Sequence, residues 1–359
     1  MDKPKKNICI VSPSLKMGGI ERALSVLANY FVAQGYTVHF ISCLGGEKFY
    51  ELDDNVNFIE PSFKRSGKFG KFRYYGKMVA WLRRHLTNIH PDAVLTFGDN
   101  FNPLVLLAAS GLKYRIFVSD RTSPDFKFHP VINFLKKRLY PKAAGFIAQT
   151  ERAYNYKKNL FGNRLRMKII PNAIKHITLY DKERKKQILY LGRLSFEKGP
   201  DRLLEAFAKI NNTENWKLVM AGNGPLMQQL KDRAHELKIA DNVEFPGQIT
   251  DIDEAFSESS IFVLPSRLEG FPNALCEAMS AGLAVICFDS IPSSDILTDG
   301  IDGYVVAEGD TDALAGKMQF LIDNETERKK IADKALLIRE RLSLSKISDM
   351  YLNFMFPDN

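Results

Sequence analysis

Cysteine is scarce in this chain: four among 359 residues, Cys9, Cys43, Cys276 and Cys287, with no C-x-x-C spacing. That argues against a disulfide scaffold or a cysteine-ligated metal cluster and leaves buried free thiols as the reading. Long apolar runs are missing too, and none approaches the roughly 20 residues that span a bilayer as a helix. The opening stretch MDKPKKNICIVSP is basic, but its apolar run is too short for a secretory signal and reads as a strand. These absences set the expectation of a cytoplasmic protein. Close internal repeats and low-complexity tracts are also lacking. Acid is scarce in one half only. Residues 1–180 carry 29 Lys and Arg against 12 Asp and Glu, a balance of +17, while the remainder carries 21 against 30, a balance of −9, which together give +8. A basic half beside an acidic half suggests two domains, the first facing something anionic.

What is present fits that division. A chain of 359 residues is long for one core, and 45% hydrophobic with 26% charged residues is ordinary for a soluble globular protein. Short β-type runs alternate with helical patterns, the signature of α/β units with parallel sheets. Strands are expected at 7–12, 37–43, 55–59, 93–97, 115–119, 145–149 and 168–170, with helices clearest at 20–34, 69–85 and 101–110. Residues 170–186 are polar and strand-poor and read as a linker. The rhythm then restarts, with strands expected at 187–192, 216–222, 242–247, 260–265, 283–288 and 303–307. Helices are expected near 200–210, 225–237, 273–281 and 312–323, and 325–355 is helical with few breakers. The fold class is α/β: two doubly wound, Rossmann-like domains in tandem. Ligands of such sheets collect at the carboxyl ends of strands, so the cleft between domains is the first place to look.

Five strand-to-helix loops carry candidate chemistry. In PSLKMGGIERAL, Gly18 and Gly19 open a helix, either so that the backbone can approach a phosphate or merely as a tight turn. In LGRLSFEKGPDRLLEAF, Arg193 and Lys198 are cations suited to a diphosphate, although Glu197 beside Lys198 offers a plain surface ion pair instead. AGNGPLMQQL places Gly222, Asn223 and Gly224 at a turn. NVEFPGQITD ends a strand at Pro246-Gly247, where the backbone of Gln248 or Ile249 could read a base edge. SRLEGFPNALCEAMSAGLAVI sets Glu269 on a Gly-Pro turn and Glu277 in the first turn or so of a helix, with Asn273 as N-cap and Gly282 after the end. Dipole stabilisation would suffice for Glu277 and simple exposure for Glu269. Neither explains why Gly-Phe-Pro shapes the space between them.

With Gly18-Gly19, Ile170-Pro171-Asn172, Gly192-Arg193 with Lys198, and Glu269-GFPNALC-Glu277 in this order, the chain resembles the retaining GT-B glycosyltransferases of family four over essentially its whole length. The resemblance implies an acceptor-binding domain over 1–172, a linker over 173–186 and a nucleotide-sugar-binding domain over 187–340. A C-terminal helix in 341–359 would return to the first domain. It implies that Glu277 accepts hydrogen bonds from ribose hydroxyls, and that Arg193 and Lys198 hold the diphosphate. Gly18 and Gly19 would add backbone near that phosphate, with Gly222 and Asn223 also lining the donor site. Glu269 and the backbone of Phe271, Pro272, Asn273, Ala274 and Leu275 would grip the transferred sugar, and Ile249 would meet the base. The reaction implied is transfer to a hydroxyl with retention, the leaving phosphate taking the acceptor's proton, with no metal and no other cofactor. The donor expected is a UDP-hexose or UDP-N-acetylhexosamine, in surface polysaccharide synthesis. One departure stands out: where many members place a first-domain His, this chain has Asp120 and Arg121. Either these residues or His129 take over that contact, or Asp120 and Arg121 form a plain surface pair. Asn172 is a further candidate for sugar or acceptor contact.

The segment FKRSGKFGKFRYYGKMVAWLRRHL, 63–86, interleaves cations with aromatics. Phe72, Tyr75, Val79, Leu82 and Leu86 form one helical stripe expected to face the core, leaving Lys71, Lys77, Arg83 and Arg84 outside. This reads either as a solvated basic face or as a dock for an anionic membrane surface, with NFLKKRLYPK, 133–142, adding to it. The second reading expects peripheral binding on the inner membrane face, so that a lipid-diphosphate-linked saccharide could serve as acceptor. No nucleic-acid recognition motif accompanies the patch. Two alternatives stand beside the transferase: a nucleotide-sugar 2-epimerase of the same fold, and a non-catalytic nucleotide-sugar-binding partner.

Overall fold

The computed structural model describes residues 6–63, 70–175, 177–211 and 215–357. It divides into two compact units, one built by the chain up to Ala173 together with Ser345 onward, the other by Ile174–Leu344.

In the first unit the order is β1 (Asn7–Ser12), α1 (Gly19–Ala33), β2 (Thr37–Ser42), β3 (Asn57–Ile59), α2 (Gly70–Ile89), β4 (Ala93–Phe97) and α3 (Asn102–Ala108). Then follow β5 (Arg115–Ser119), α4 (Pro130–Leu139), β6 (Gly145–Ala148), α5 (Glu151–Phe161) and β7 (Met167–Ile169). The strands form one seven-stranded parallel sheet ordered β3-β2-β1-β4-β5-β6-β7. β4 is buried along its whole length and β1 everywhere but its first residue. That is what an apolar run demands when helices cover both faces of a parallel sheet. On α1, Leu24, Leu27, Ala28 and Phe31 repeat at helical spacing and are buried.

The second unit repeats the plan. β8 (Gln187–Leu191), α6 (Pro200–Phe207), β9 (Lys217–Ala221), α7 (Met227–Glu236), β10 (Val243–Gly247) and α8 (Ile252–Glu258) come first. β11 (Ile261–Leu264), α9 (Asn273–Ser280), β12 (Ala284–Phe288), β13 (Tyr304–Val306), α10 (Thr311–Asp323), α11 (Glu325–Ala335) and α12 (Ile338–Arg341) follow. Its six-stranded parallel sheet is ordered β10-β9-β8-β11-β12-β13. The last helix, α13 (Leu344–Met355), packs in the first unit, where Tyr351, Phe354 and Met355 are buried. In each sheet the strand order reverses once, between β1 and β4 and between β8 and β11, and those crevices at the carboxyl ends are where such sheets bind ligands.

Several expectations need correcting. The buried stripe of α2 is Tyr74, Met78, Leu82 and Leu86; Val79 is only half-buried and Tyr75 is exposed. Residues 64–69 and the side chains of Lys71 and Phe72 lie outside the described residues. Lys77, Arg83 and Arg84 are exposed as expected, and Arg83 in addition donates to the carbonyls of Ala108 and Ser110 and so closes the end of α3. Asn273 is the first residue of α9 rather than its cap, which is Pro272, so Glu277 falls in the second turn. The polar stretch 174–186 belongs to the second unit: Lys175 pairs with Asp253 at 2.8 Å, Lys182 with Glu254 at 2.5 Å and Lys185 with Glu258 at 2.7 Å. Helices α4, α5 and α8 were not anticipated. Their caps are local: His129 Nδ1, Thr150 and Asp251 accept from the first-turn amides.

Candidate functional site

The crevice between β8 and β11 gathers much of the sequence-derived constellation. The loop after β8 runs through a 3-10 turn, Phe196–Lys198, and the loop after β11 reaches α9 through Glu269. Lys198 Nζ and Glu269 Oε1 form an ion pair of 2.6 Å, and Ser266 Oγ donates to the same oxygen at 2.9 Å. The Glu269 side chain is only 9% exposed and that of Lys198 is 30% exposed. Lys198 therefore pairs across the crevice rather than with its neighbour Glu197. Arg193 lies on the same loop with an exposed side chain, its carbonyl accepting from the Tyr190 hydroxyl at 2.8 Å.

Backbone contacts lock these loops together. The carbonyl of Glu197 accepts from the amides of Arg267 and Leu268, and Arg267 forks onto Asp201 through both terminal nitrogens. Leu194 N–H donates to Asn223 O, and Gly222 N–H donates to Gly247 O. Gly222, at φ +140°, and Gly199, at φ +63°, are required outright. A Cβ at Gly222 would lie 1.9 Å from the Gly192 carbonyl oxygen, and one at Gly199 2.1 Å from that of Pro265.

The remaining predicted donor residues of this unit occupy the same sheet edge. Asn223 is exposed and Ile249 half-buried on the loops after β9 and β10. Phe271 and Pro272 are buried under the start of α9, with Asn273 and Ala274 half-exposed. Leu275 is wholly buried, main chain included, which leaves it no surface for a ligand and corrects the expected donor contact. Glu277 is 5% exposed. The far end of α9 is closed by Arg184, which donates to Ala281 O, and by Arg339, which donates to Ser280 O. Beyond β12 and β13 lies a cavity of about 520 Å³ lined by Asp289, Ser293, Thr298 and Asp299, none of which stood out in the sequence.

In the first unit, the loop after β1 leads to Gly18, the extended N-cap of α1. Its amide donates to the Tyr50 hydroxyl at 3.2 Å, and that hydroxyl donates to its carbonyl at 3.0 Å. The Glu21 carboxylate folds back toward Gly18 and accepts from Ser14. The helix start thus already carries an acid. Gly19 is exposed.

Asp120 and Arg121 do not form a surface pair. Asp120 is buried and engaged on both oxygens: Oδ1 accepts from Tyr140 at 2.5 Å and Asn102 at 3.2 Å, while Oδ2 meets Lys157 and lies 3.1 Å from Lys136. Its expected sugar contact is therefore withdrawn, because no lone pair remains for a hydroxyl. Asp99 also meets Lys136 and accepts the Arg121 amide. Burial and the neighbouring Asp120 push Asp99 up to about 6. Burial opposes ionisation of Asp120 as well, but Lys157 and Lys136 outweigh it and hold that carboxyl below its usual range. Arg121 points elsewhere, donating to Asn172 at 2.6 Å and to the Tyr351 hydroxyl at 2.8 Å, its guanidinium 3.4 Å from the centroid of Phe97. His129 is exposed and spends its Nδ1 on the amide of Val131. Asp99, Lys136 and Lys157 were missed in the sequence, since nothing in a Lys on an amphipathic helix announces burial.

Two family matches cover this geometry. The family described as Glycosyltransferase Family 4 matches residues 17–176, and Glycosyl transferases group 1 matches residues 175–337. Among curated relatives, the "GalNAc-alpha-(1->4)-GalNAc-alpha-(1->3)-diNAcBac-PP-undecaprenol alpha-1,4-N-acetyl-D-galactosaminyltransferase" of Campylobacter jejuni is 27% identical, spanning 97% of this chain and 98% of its own. The amylovoran biosynthesis glycosyltransferase AmsD of Erwinia amylovora is 26% identical, spanning 92% and 93%. Among solved structures, HepE of Anabaena in complex with UDP superposes with a TM-score of 0.80 at 16% identity, over 97% of this chain and 98% of that one. With adjoining family matches on both units and two parallel doubly wound sheets, the chain belongs to the GT-B glycosyltransferases of family four.

Proposed function

We propose that the protein is a retaining, metal-independent hexosyltransferase that moves a sugar from a UDP-sugar to a hydroxyl of a lipid-diphosphate-linked saccharide. The carrying observation is the Lys198–Glu269 pair, a cation and a sheltered carboxylate 2.6 Å apart in the crevice between β8 and β11. A donor entering there exchanges this pair for its own groups. Lys198 and Arg193 take the diphosphate, and Glu269 turns to the hydroxyls of the transferred sugar. Glu277 receives the ribose, Ile249 meets the base, and Gly222, Asn223 and the main chain of residues 271–274 line the donor. In the first unit, Gly18 and Gly19 are the candidates for backbone contact with phosphate, and Arg121 and Asn172, themselves 2.6 Å apart, the candidates for sugar or acceptor contact.

The bond from the anomeric carbon to phosphate breaks as a bond to the acceptor oxygen forms on the same face. The acceptor's proton passes to the leaving phosphate, and the two cations stabilise the charge that develops there. The reading draws on two printed names. The Campylobacter relative is named for a PP-undecaprenol-linked saccharide, and an Anabaena HepE structure contains UDP-glucose. A lipid-linked acceptor would call for peripheral docking on an inner membrane face, which belongs to the same proposal.

The test is a panel of UDP-, GDP- and ADP-sugars with lipid-diphosphate saccharides, with and without chelator, read by product NMR. Transfer from a UDP-sugar with unchanged anomeric configuration and undiminished rate in chelator is expected. An inverted product, isomerisation at C2, or no turnover with any donor would each overturn the reading.

A further inference from the structure

Phe196 is the most exposed large apolar side chain among the described residues, at 68%. It sits on the same 3-10 turn as Lys198, two residues away. An aromatic ring left in water at such a place loses the burial that an aromatic normally gains. Yet its main chain is held firmly. The Phe196 backbone carbonyl accepts from Arg267 Nη1 at 2.8 Å and from the Gly199 amide at 3.2 Å. The Arg267 guanidinium lies 4.2 Å from the ring centroid and is itself fixed by the fork onto Asp201. One face of the ring is therefore backed by a cation, and exposure of 68% leaves the other face open.

A rigid, open aromatic face beside a sugar-transfer centre matches one chemistry well. The C–H bonds on one side of a pyranose ring carry slight positive charge, the aromatic face carries the negative end of its quadrupole, and the two stack with little loss of freedom. The neighbouring polar groups are already assigned: Lys198 to Glu269, Arg267 to Asp201. Apolar stacking is what remains for Phe196 to contribute.

We propose that Phe196 is a stacking platform for a sugar ring of the saccharide acceptor. This rests on the transferase reading above and adds a residue to its acceptor side. The experiment measures KM and kcat separately for donor and acceptor in the parent enzyme and in Phe196→Ala, Phe196→Trp and Phe196→Asp, with melting temperature followed alongside. Phe196→Ala should raise the acceptor KM roughly tenfold, the scale of one aromatic contact, with the donor KM moving less than twofold. Phe196→Trp should restore the acceptor KM. A rise in donor KM, or weaker binding of UDP alone, would assign the ring to the nucleotide and overturn the proposal. So would a fall in kcat with acceptor KM unchanged, or a Trp variant as poor as the Asp variant. Failure of the parent enzyme to turn over any donor would instead sink the transferase reading, so the two failures are told apart.

Discussion

At the scale of single residues, the site is built from pairs that the sequence spaces far apart. Glu269 and Lys198 stood out because each lies in a recognisable loop, but their contact spans 71 residues and shows only in the fold. Lys198→Ala should lower kcat by about 100-fold, the usual loss when one group stabilising a leaving charge is removed. Turnover within twofold of the parent would exclude Lys198 from that role. Asp120 and Arg121 were legible as unusual, yet not their partners, because Lys157 and Tyr351 are 37 and 230 residues distant. The buried cluster has a pH signature. Asp99 holds its proton up to about pH 6 in the folded chain and near the ordinary 3.8 when unfolded. The folded state therefore carries an extra proton between those values. The resulting stabilisation is complete below about 3.8 and lost as pH rises through 6. Chemical denaturation at several pH values should show this slope in the parent and lose it in Asp99→Asn. An identical slope in both would show that Asp99 does not titrate there.

At the scale of elements, strands were the easiest to read, since β4, β11 and β12 are apolar runs buried on both faces. Helices α4 and α5 escaped because their inward residues include Lys136 and Lys157, which a periodicity argument counts as outward. The stripe on α2 slipped from Tyr75 to Tyr74 and from Val79 to Met78, a one-residue rotation that flanking aromatics disguise. The loops around the crevice depend on glycine in a way that can be measured. Gly222→Ala would push a methyl group into the Gly192 carbonyl at an unfavourable φ and should cost at least about 3 kcal/mol. Gly316→Ala, on α10 with open space around the new methyl, should stabilise by about 0.5–1 kcal/mol. Urea denaturation of the two variants would reveal opposite signs; equal effects would mean that the loop contact carries no weight.

At the scale of the whole molecule, the basic half and the acidic half recognised in the sequence match the two units only approximately, because α13 joins the first unit from the far end of the chain. None of the helices in the described residues is long and apolar enough to cross a membrane. The proposed docking through the first half's charge balance of +17 is expected to weaken as salt screens it, with a Debye length of about 10 Å at 0.1 M. Sedimentation with anionic vesicles should show binding at low ionic strength that is lost at 0.5 M salt, roughly where screening acts within a few ångströms. No binding at low salt would end the peripheral-docking proposal. The return of α13 also imposes an order on synthesis. Arg121 finds its Tyr351 partner, and Phe117 its Phe354 neighbour, only after residues past Ser345 have been made. The part of the protein translated first is thus the part finished last. Until then it must persist with an open flank, while Ile174–Leu344 is already fully translated and able to close its own core.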